Sequence, residues 1–262
     1  MKDSDICIIL IKEAAHIHIH NMFTIQTDNH TLKPALLVID VQNGFVSKGG
    51  SYDKLGMDTS NYRAVVPKMR QLISLCRELG IPIFYTEATR EPSGIDLLTK
   101  VHRILPKSRE ERIKKMPICV RGTWDAQTID EIKPTDADHV IIKRRDSAFQ
   151  DTEINVWFEA LAINTIVFAG VDTSICVETS LRDAFNQGYD VILISDATAS
   201  SNKESYNTTL QRIRDYYGVV MDFERFSNSS NWAQQNNGRV PRDRIDAFIQ
   251  SFNLLDPRKS IA

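Results

Sequence analysis

Short apolar runs, separated by amphipathic segments of helix length, constrain this chain more than any other feature. Ala35-Leu-Leu-Val-Ile-Asp40 and the stretches Ile81–Thr86, His139–Lys143, Thr165–Gly170, Asp190–Ser195 and Val219–Phe223 each read as a strand. The first of these runs is nearly continuous in apolar character rather than strictly alternating, which marks a strand buried on both faces. Between them, Asn61–Leu79, Thr152–Ala162, Cys176–Gln187 and Lys203–Tyr217 carry helical spacing. Gly80 and Gly188 stand where helix C-caps are needed, and Pro67 is placed to set the true first turn of the first helix. Strand–helix alternation of this kind predicts an α/β fold, a three-layer α/β/α sandwich around a six-stranded, mostly parallel sheet.

In such sheets, sites gather at the carboxyl ends of the strands. That rule selects Asp40, Lys143 and the turn from Gly170 to Cys176. Cys176 falls at the expected start of a helix, where unpaired N–H groups and the helix dipole favour a thiolate. Most free cysteines are instead small buried apolar residues, and Cys7, Cys76 and Cys119 take that reading. Asp40 either caps a turn or sits in a site, where burial raises and a nearby cation lowers its pKa. Lys143 is a candidate for that cation, or an ordinary strand-end charge ahead of Arg144 and Arg145. Together the three bring a thiol, a carboxylate and an ammonium to one sheet edge.

The bulk properties narrow the function classes. A chain of 262 residues, 42% of them hydrophobic, suffices for one buried core. The formal net charge of -2 offers no basic excess for phosphates, so no nucleic-acid partner is expected. Four cysteines without CxxC spacing fit neither a disulfide framework nor a zinc site. They suit a reducing compartment, and a cytoplasmic location is expected. No run is long enough to span a membrane, and the flanks of Ile6–Ile11 do not suit a signal peptide. His16, His18 and His20 alternate without an accompanying acid or cysteine cluster, which fits a short strand better than a metal site. The expected organisation is an N-terminal extension over 1–30, with the ordinary chain starting near Met22, a catalytic domain over 31–225, and a polar connector with a C-terminal helix (about Arg242–Leu255) over 226–262. Neither GxGxxG nor GxxxxGK[ST] occurs.

Three ordered motifs carry a resemblance. Leu36-Leu-Val-Ile-Asp-Val-Gln-Asn-Gly-Phe45 and Val140-Ile-Ile-Lys-Arg-Arg-Asp-Ser-Ala-Phe149 are similar to the first-strand and lysine motifs of the isochorismatase-like cysteine hydrolases. Gly170-Val-Asp-Thr-Ser-Ile-Cys-Val-Glu-Thr-Ser-Leu-Arg-Asp-Ala184, followed by Gly188 and Ser195-Asp-Ala197, resembles their cysteine motif. The resemblance implies that family's fold and a catalytic triad of Asp40, Lys143 and Cys176. It also implies a cis peptide between Val171 and Asp172, and an oxyanion hole made by the backbone N–H groups of Asp172 and Cys176. Family members commonly form dimers or tetramers, so a homo-oligomer is implied.

True isochorismatases, which cleave a vinyl ether, generally lack the cysteine, so Cys176 points to hydrolysis of a C–N bond. Metal-bearing nicotinamidases carry an Asp-x-His pair and further histidines before the lysine strand. Here that interval holds only His102 and His139, so neither a catalytic metal nor another cofactor is expected. Gln42-Asn-Gly-Phe45, Lys48-Gly-Gly50, Tyr52, Leu55-Gly-Met-Asp58 and Gly122-Thr-Trp-Asp125 resemble the ureidoacrylate amidohydrolases, with biuret and N-carbamoyl amide hydrolases nearby. The expected substrate is a small amide or ureide. Those enzymes carry Asn and Trp after the second strand, where this chain reads Tyr85-Thr-Glu-Ala-Thr-Arg90, and Tyr where it has Asp146. Arg90 is a candidate for a substrate carboxylate and Glu87 for ureido N–H groups, each equally compatible with a solvated loop charge. Phe45 and Trp124 are candidate pocket walls or core residues, and Asp146 a candidate substrate contact. The alternatives are a nicotinamidase-like amidase, a non-catalytic protein on the same fold, and a redox thiol at Cys176.

Overall fold

In the computed structural model, described over residues Leu32–Asn228, six strands form one sheet. They are β1 (Pro34–Ile39), β2 (Ile83–Ala88), β3 (His139–Lys143), β4 (Thr165–Val171), β5 (Asp190–Ala199) and β6 (Val219–Met221). The order across the sheet is β3-β2-β1-β4-β5-β6, and all five neighbouring pairs run parallel. Parallel neighbours need a crossover, and the helices supply it. The strand order reverses between β1 and β4, and a doubly wound sheet opens a crevice at that switch point.

Helices accompany the sheet, among them α1 (Asn43–Val46), α2 (Ser51–Lys54), α3 (Ser60–Glu78), α4 (Leu98–Val101), α5 (Lys107–Lys115), α6 (Ile154–Ala160), α7 (Glu178–Asn186) and α8 (Lys203–Tyr216). Ala35, Leu37 and Ile39 of β1 join Phe84, Ile166 and Phe168 in a core closed by Phe158 of α6, Leu181 and Ala184 of α7, and Leu210 and Ile213 of α8. Helix α3 packs on β5, β2 and β4 through a stripe of Val66, Met69, Leu72, Ile73 and Cys76. β1 is buried from Ala35 to Ile39, as the apolar run predicts for a central strand covered on both faces. Each of the larger side chains, Leu36 to Ile39, contributes about 2 kcal/mol by leaving water.

Several boundaries differ from the sequence reading for physical reasons. Pro67 lies inside α3 rather than in its first turn, because the helix already opens at Ser60. β5 runs four residues past Ser195. It leaves β4 after Leu193 and rejoins it at Thr198, where Thr198 pairs with Gly170. The polar Ser195-Asp196 pair occupies that bulge, so the apolar run ends while the strand continues. β6 stops at Met221, and residues 223 to 228 are helical, with Asp222 Oδ1 accepting from Arg225 N. The weakly patterned interval after β2 holds α4, α5 and two short 3₁₀ turns, Trp124–Ala126 and Asp130–Ile132. The N-terminal extension with its histidines and the expected C-terminal helix lie outside the described residues.

Gly170 is where the crevice demands glycine. Its φ is +119°, and a Cβ there would stand 2.2 Å from the Ile39 carbonyl oxygen. β4 therefore passes β1 at close quarters one residue before Asp40.

Candidate active site

The carboxyl ends of β1, β3 and β4 each deliver one polar group to a common cavity of about 200 Å³. Asp40 follows β1 directly, in a left-handed conformation with φ +52°. Its Oδ1 accepts a 2.6 Å bond from Thr86 Oγ1 at the end of β2. Its Oδ2 lies 2.8 Å from Lys143 Nζ, with the two side chains 1% and 0% exposed. Lys143, the last residue of β3, donates to the carbonyls of Arg145 at 2.9 Å and Asp146 at 3.0 Å. Burial alone would lower its pKa, but Asp40 beside it wins and holds the ammonium above its ordinary range.

Cys176 corrects one detail of the sequence reading. It does not head an α-helix but sits in a single π-helical turn, Thr173–Val177, that leads into α7. Such turns recur at functional sites. Burial pushes its thiol well above the ordinary value; Lys143 opposes this, while Asp40 and Asp146 add to it. The resting group is thus a protonated thiol in contact with Asp40, not the thiolate that a bare helix start favours.

The turn is held by Asp172. The Val171–Asp172 peptide is cis. Asp172 Oδ1 accepts from Ser174 N, Ser174 Oγ and Ser200 Oγ, and Oδ2 from Tyr62 Oη and Ser201 N. Its carboxylate is therefore spent on structure. On the other side, fully buried Gln42 ties the end of β1 to its neighbours. Its Nε2 donates to Ala88 O and Ala126 O, and its Oε1 accepts from Ala88 N.

The remaining sequence candidates divide. Phe45 lines the cavity, edge-on to Tyr52 with ring centroids 4.9 Å apart. Arg90 and Asp146 line it too, but Asp146 Oδ1 is engaged by Arg109 at 2.5 Å. Glu87 and Trp124 do not belong to the lining. The Glu87 carboxylate turns to Thr128, accepting from its N and Oγ1 at 2.9 Å, because side chains alternate along β2. Trp124 is 49% exposed and contributes its carbonyl to Asn43. Sequence reasoning missed Thr86, Tyr52, Tyr62, Arg109, Arg112 and Arg145. Thr86 lies near a strand end and was open to the same rule as Asp40. Arg109, Arg112, Ile113 and Met116 line the cavity at helical i, i+3, i+4, i+7 spacing, a face readable once α5 is recognised.

Among the described residues, no group of three or more His, Cys, Asp or Glu is placed to hold a metal ion. No described helix is long and apolar enough to cross a membrane.

Comparison with known proteins bears on the family and the fold. The isochorismatase domain model matches residues 34–225. A ureidoacrylate amidohydrolase of Methylobacterium radiotolerans is 30% identical over 201 residues, 74% of this chain and 78% of that protein. Among solved structures, N-carbamoylsarcosine amidase from Thermoplasma acidophilum is 27% identical, with a TM-score of 0.58 over 73% of this chain and 96% of that one. A cysteine hydrolase from Pseudomonas syringae pv. phaseolicola shares the fold at 22% identity, with a TM-score of 0.67 over 78% of this chain and 95% of that one.

Proposed function

The chain belongs to the isochorismatase family of hydrolases, and from that premise we propose that it cleaves the C–N bond of a small amide or ureide through a Cys176 thioester. The observation that carries the reading is Asp40 Oδ2. It is a buried carboxylate oxygen 2.8 Å from Lys143 Nζ, on a residue that also meets the Cys176 thiol. An oxygen so placed is a proton acceptor for that thiol. As the proton moves to Asp40, the sulfur attacks the substrate carbonyl and the charge passes to the carbonyl oxygen. Backbone N–H groups of Asp172 and Cys176 are the donors proposed for that oxyanion. Collapse of the tetrahedral intermediate breaks the C–N bond, and Asp40 returns its proton to the departing nitrogen. Asp40 then takes a proton from water as its oxygen attacks the thioester carbonyl; collapse expels the sulfur, and Asp40 returns that proton to it, regenerating the thiol and the carboxylate. Lys143, 2.8 Å from its Oδ2, holds the Asp40 carboxylate in place between these transfers.

Ammonia release from 3-ureidoacrylate, biuret, N-carbamoyl amino acids and nicotinamide tests the reading. The expected outcome is turnover of at least one ureide. Cys176→Ala should reduce kcat/KM by about 1,000-fold or more, with far-UV circular dichroism unchanged. Undiminished turnover by that variant would remove the thioester.

A further inference from the structure

Thr86 is a buried hydroxyl to which the mechanism above gives no part. It is 1% exposed and belongs to β2, where Phe84, Thr86 and Ala88 share one face. Ala88 lines the cavity, while Thr86, two residues earlier on that face, lies outside the lining. Thr86 and Asp40 are joined twice through the same oxygen. Thr86 Oγ1 accepts from Asp40 N at 3.1 Å and donates to Asp40 Oδ1 at 2.6 Å. A hydroxyl has one proton, and an amide N–H can only donate. The hydroxyl proton therefore lies on Oδ1. Together the two bonds close a ring that runs from the Asp40 backbone through Thr86 to the Asp40 carboxylate, and so fix the direction of that side chain. Asp40 needs such a hold, because at φ +52° it occupies a conformation that persists only where its surroundings impose it.

We infer that Thr86 is a positioning residue of the hydrolytic reaction, whose hydroxyl fixes the Asp40 side chain and assigns the travelling proton to Oδ2. The inference rests on the hydrolase reading and adds to it the group that sets the base. Were Oδ1 to receive the thiol proton, the Thr86 hydroxyl would have to turn its own proton away. Among the described residues, Oδ1 is the one acceptor of that proton, and the Oγ1 lone pair is engaged by Asp40 N. Oδ2 meets no such conflict. It lies 2.8 Å from Lys143 Nζ, and a carboxylate oxygen keeps a second lone pair for a proton. The proton thus leaves Cys176 Sγ for Oδ2 as the sulfur bonds to the substrate carbonyl carbon. It passes from Oδ2 to the departing nitrogen as the C–N bond breaks. Oδ1 keeps its bond to Thr86 throughout. Because Thr86 acts through Asp40 and stands outside the cavity lining, its loss falls on kcat rather than on KM.

Two substitutions separate this role from packing. Thr86→Val keeps the branched shape and removes the hydroxyl, whereas Thr86→Ser keeps the hydroxyl and removes the methyl. In both, Asp40 N retains its bond to the backbone carbonyl of residue 86, 3.2 Å long in the wild type, so the strand pairing should survive. Ammonia release is measured on whichever of 3-ureidoacrylate, biuret, N-carbamoylglycine and nicotinamide the wild type turns over fastest, and far-UV circular dichroism reads folding. Thr86→Val should stay folded and lose kcat by roughly 10- to 100-fold, with KM within about two-fold of wild type. Thr86→Ser should hold kcat within about three-fold. A packing role predicts the opposite order, because serine opens a cavity that valine fills. Wild-type kcat in Thr86→Val, a loss confined to KM, or Thr86→Ser no faster than Thr86→Val would overturn the inference and leave the hydrolase reading standing. Loss of the folded signal in Thr86→Val would overturn it as well, since the hydroxyl would then hold the sheet rather than the base. No ammonia from the wild type would remove the hydrolase reading and the inference with it.

Discussion

On one side of the cavity, Asp40 and Lys143 are 1% and 0% exposed, locked by Thr86 and by two backbone carbonyls. On the other, α5 buries none of its residues, and Ile95 and Ile104 nearby stand 74% and 90% exposed. The sheet edge is therefore over-determined, while the α4–α5 cover is attached by few contacts. Acid, base and nucleophile gain from fixed geometry. A cover that admits a substrate gains from low local stability. Under the proposed mechanism, chemistry falls to the edge and selection to the cover.

The sharpest way to break that comparison is Lys143→Met. It leaves the Asp40 carboxylate buried without its cation, so unfolding in urea should show a loss of about 3–5 kcal/mol together with loss of turnover. An unchanged midpoint would mean that the edge is less rigidly paired than its burial indicates. Next comes Gly170→Ala, which forces a Cβ against the Ile39 carbonyl. It should cost about 3 kcal/mol and depress activity through the displaced Asp40.

Effects on the cover should be smaller and of another kind. Arg109→Met removes the Arg109–Asp146 bond between α5 and the loop after β3. Both partners are about one-third exposed, so stability should change by less than about 1 kcal/mol, while KM rises a few-fold. The bond also has a pH signature. Burial would raise the Asp146 pKa, but the Arg109 contact prevails and holds it below the ordinary 3.8. The contribution is therefore complete above that value and lost as pH falls through the depressed one. Arg109→Met should erase this acid-limb component, measured as the difference in urea midpoint between neutral and strongly acidic buffer. Smallest of all, Ile104→Ser should alter stability by no more than about 0.5 kcal/mol; a larger loss would show that the cover is packed more tightly than its exposure suggests.

The same division explains what the sequence disclosed. β1 and β4 are read off because strands covered on both faces must be apolar throughout, and their carboxyl ends point to Asp40 and Cys176. Lys143 is legible for the same reason, as a charge closing an apolar run. The cover carries little pattern because α5 packs no apolar face into the core, so its Arg109 and Arg112 resemble solvated charges. Glu87 and Trp124 were misplaced for a finer reason: one strand residue turns its side chain away from its neighbours', and a turn residue contributes its carbonyl rather than its ring.

The strand order has a kinetic consequence. β1 lies between β2 and β4, and its partners in β4 come about 130 residues later, as in Leu37 with Phe168. Contacts so distant along the chain close slowly. Asp40, Lys143 and Cys176 belong to three different strand ends, so none of the pairings between them is local. During refolding, helical signal should return before enzymatic activity, which has to wait until β4 has docked beside β1.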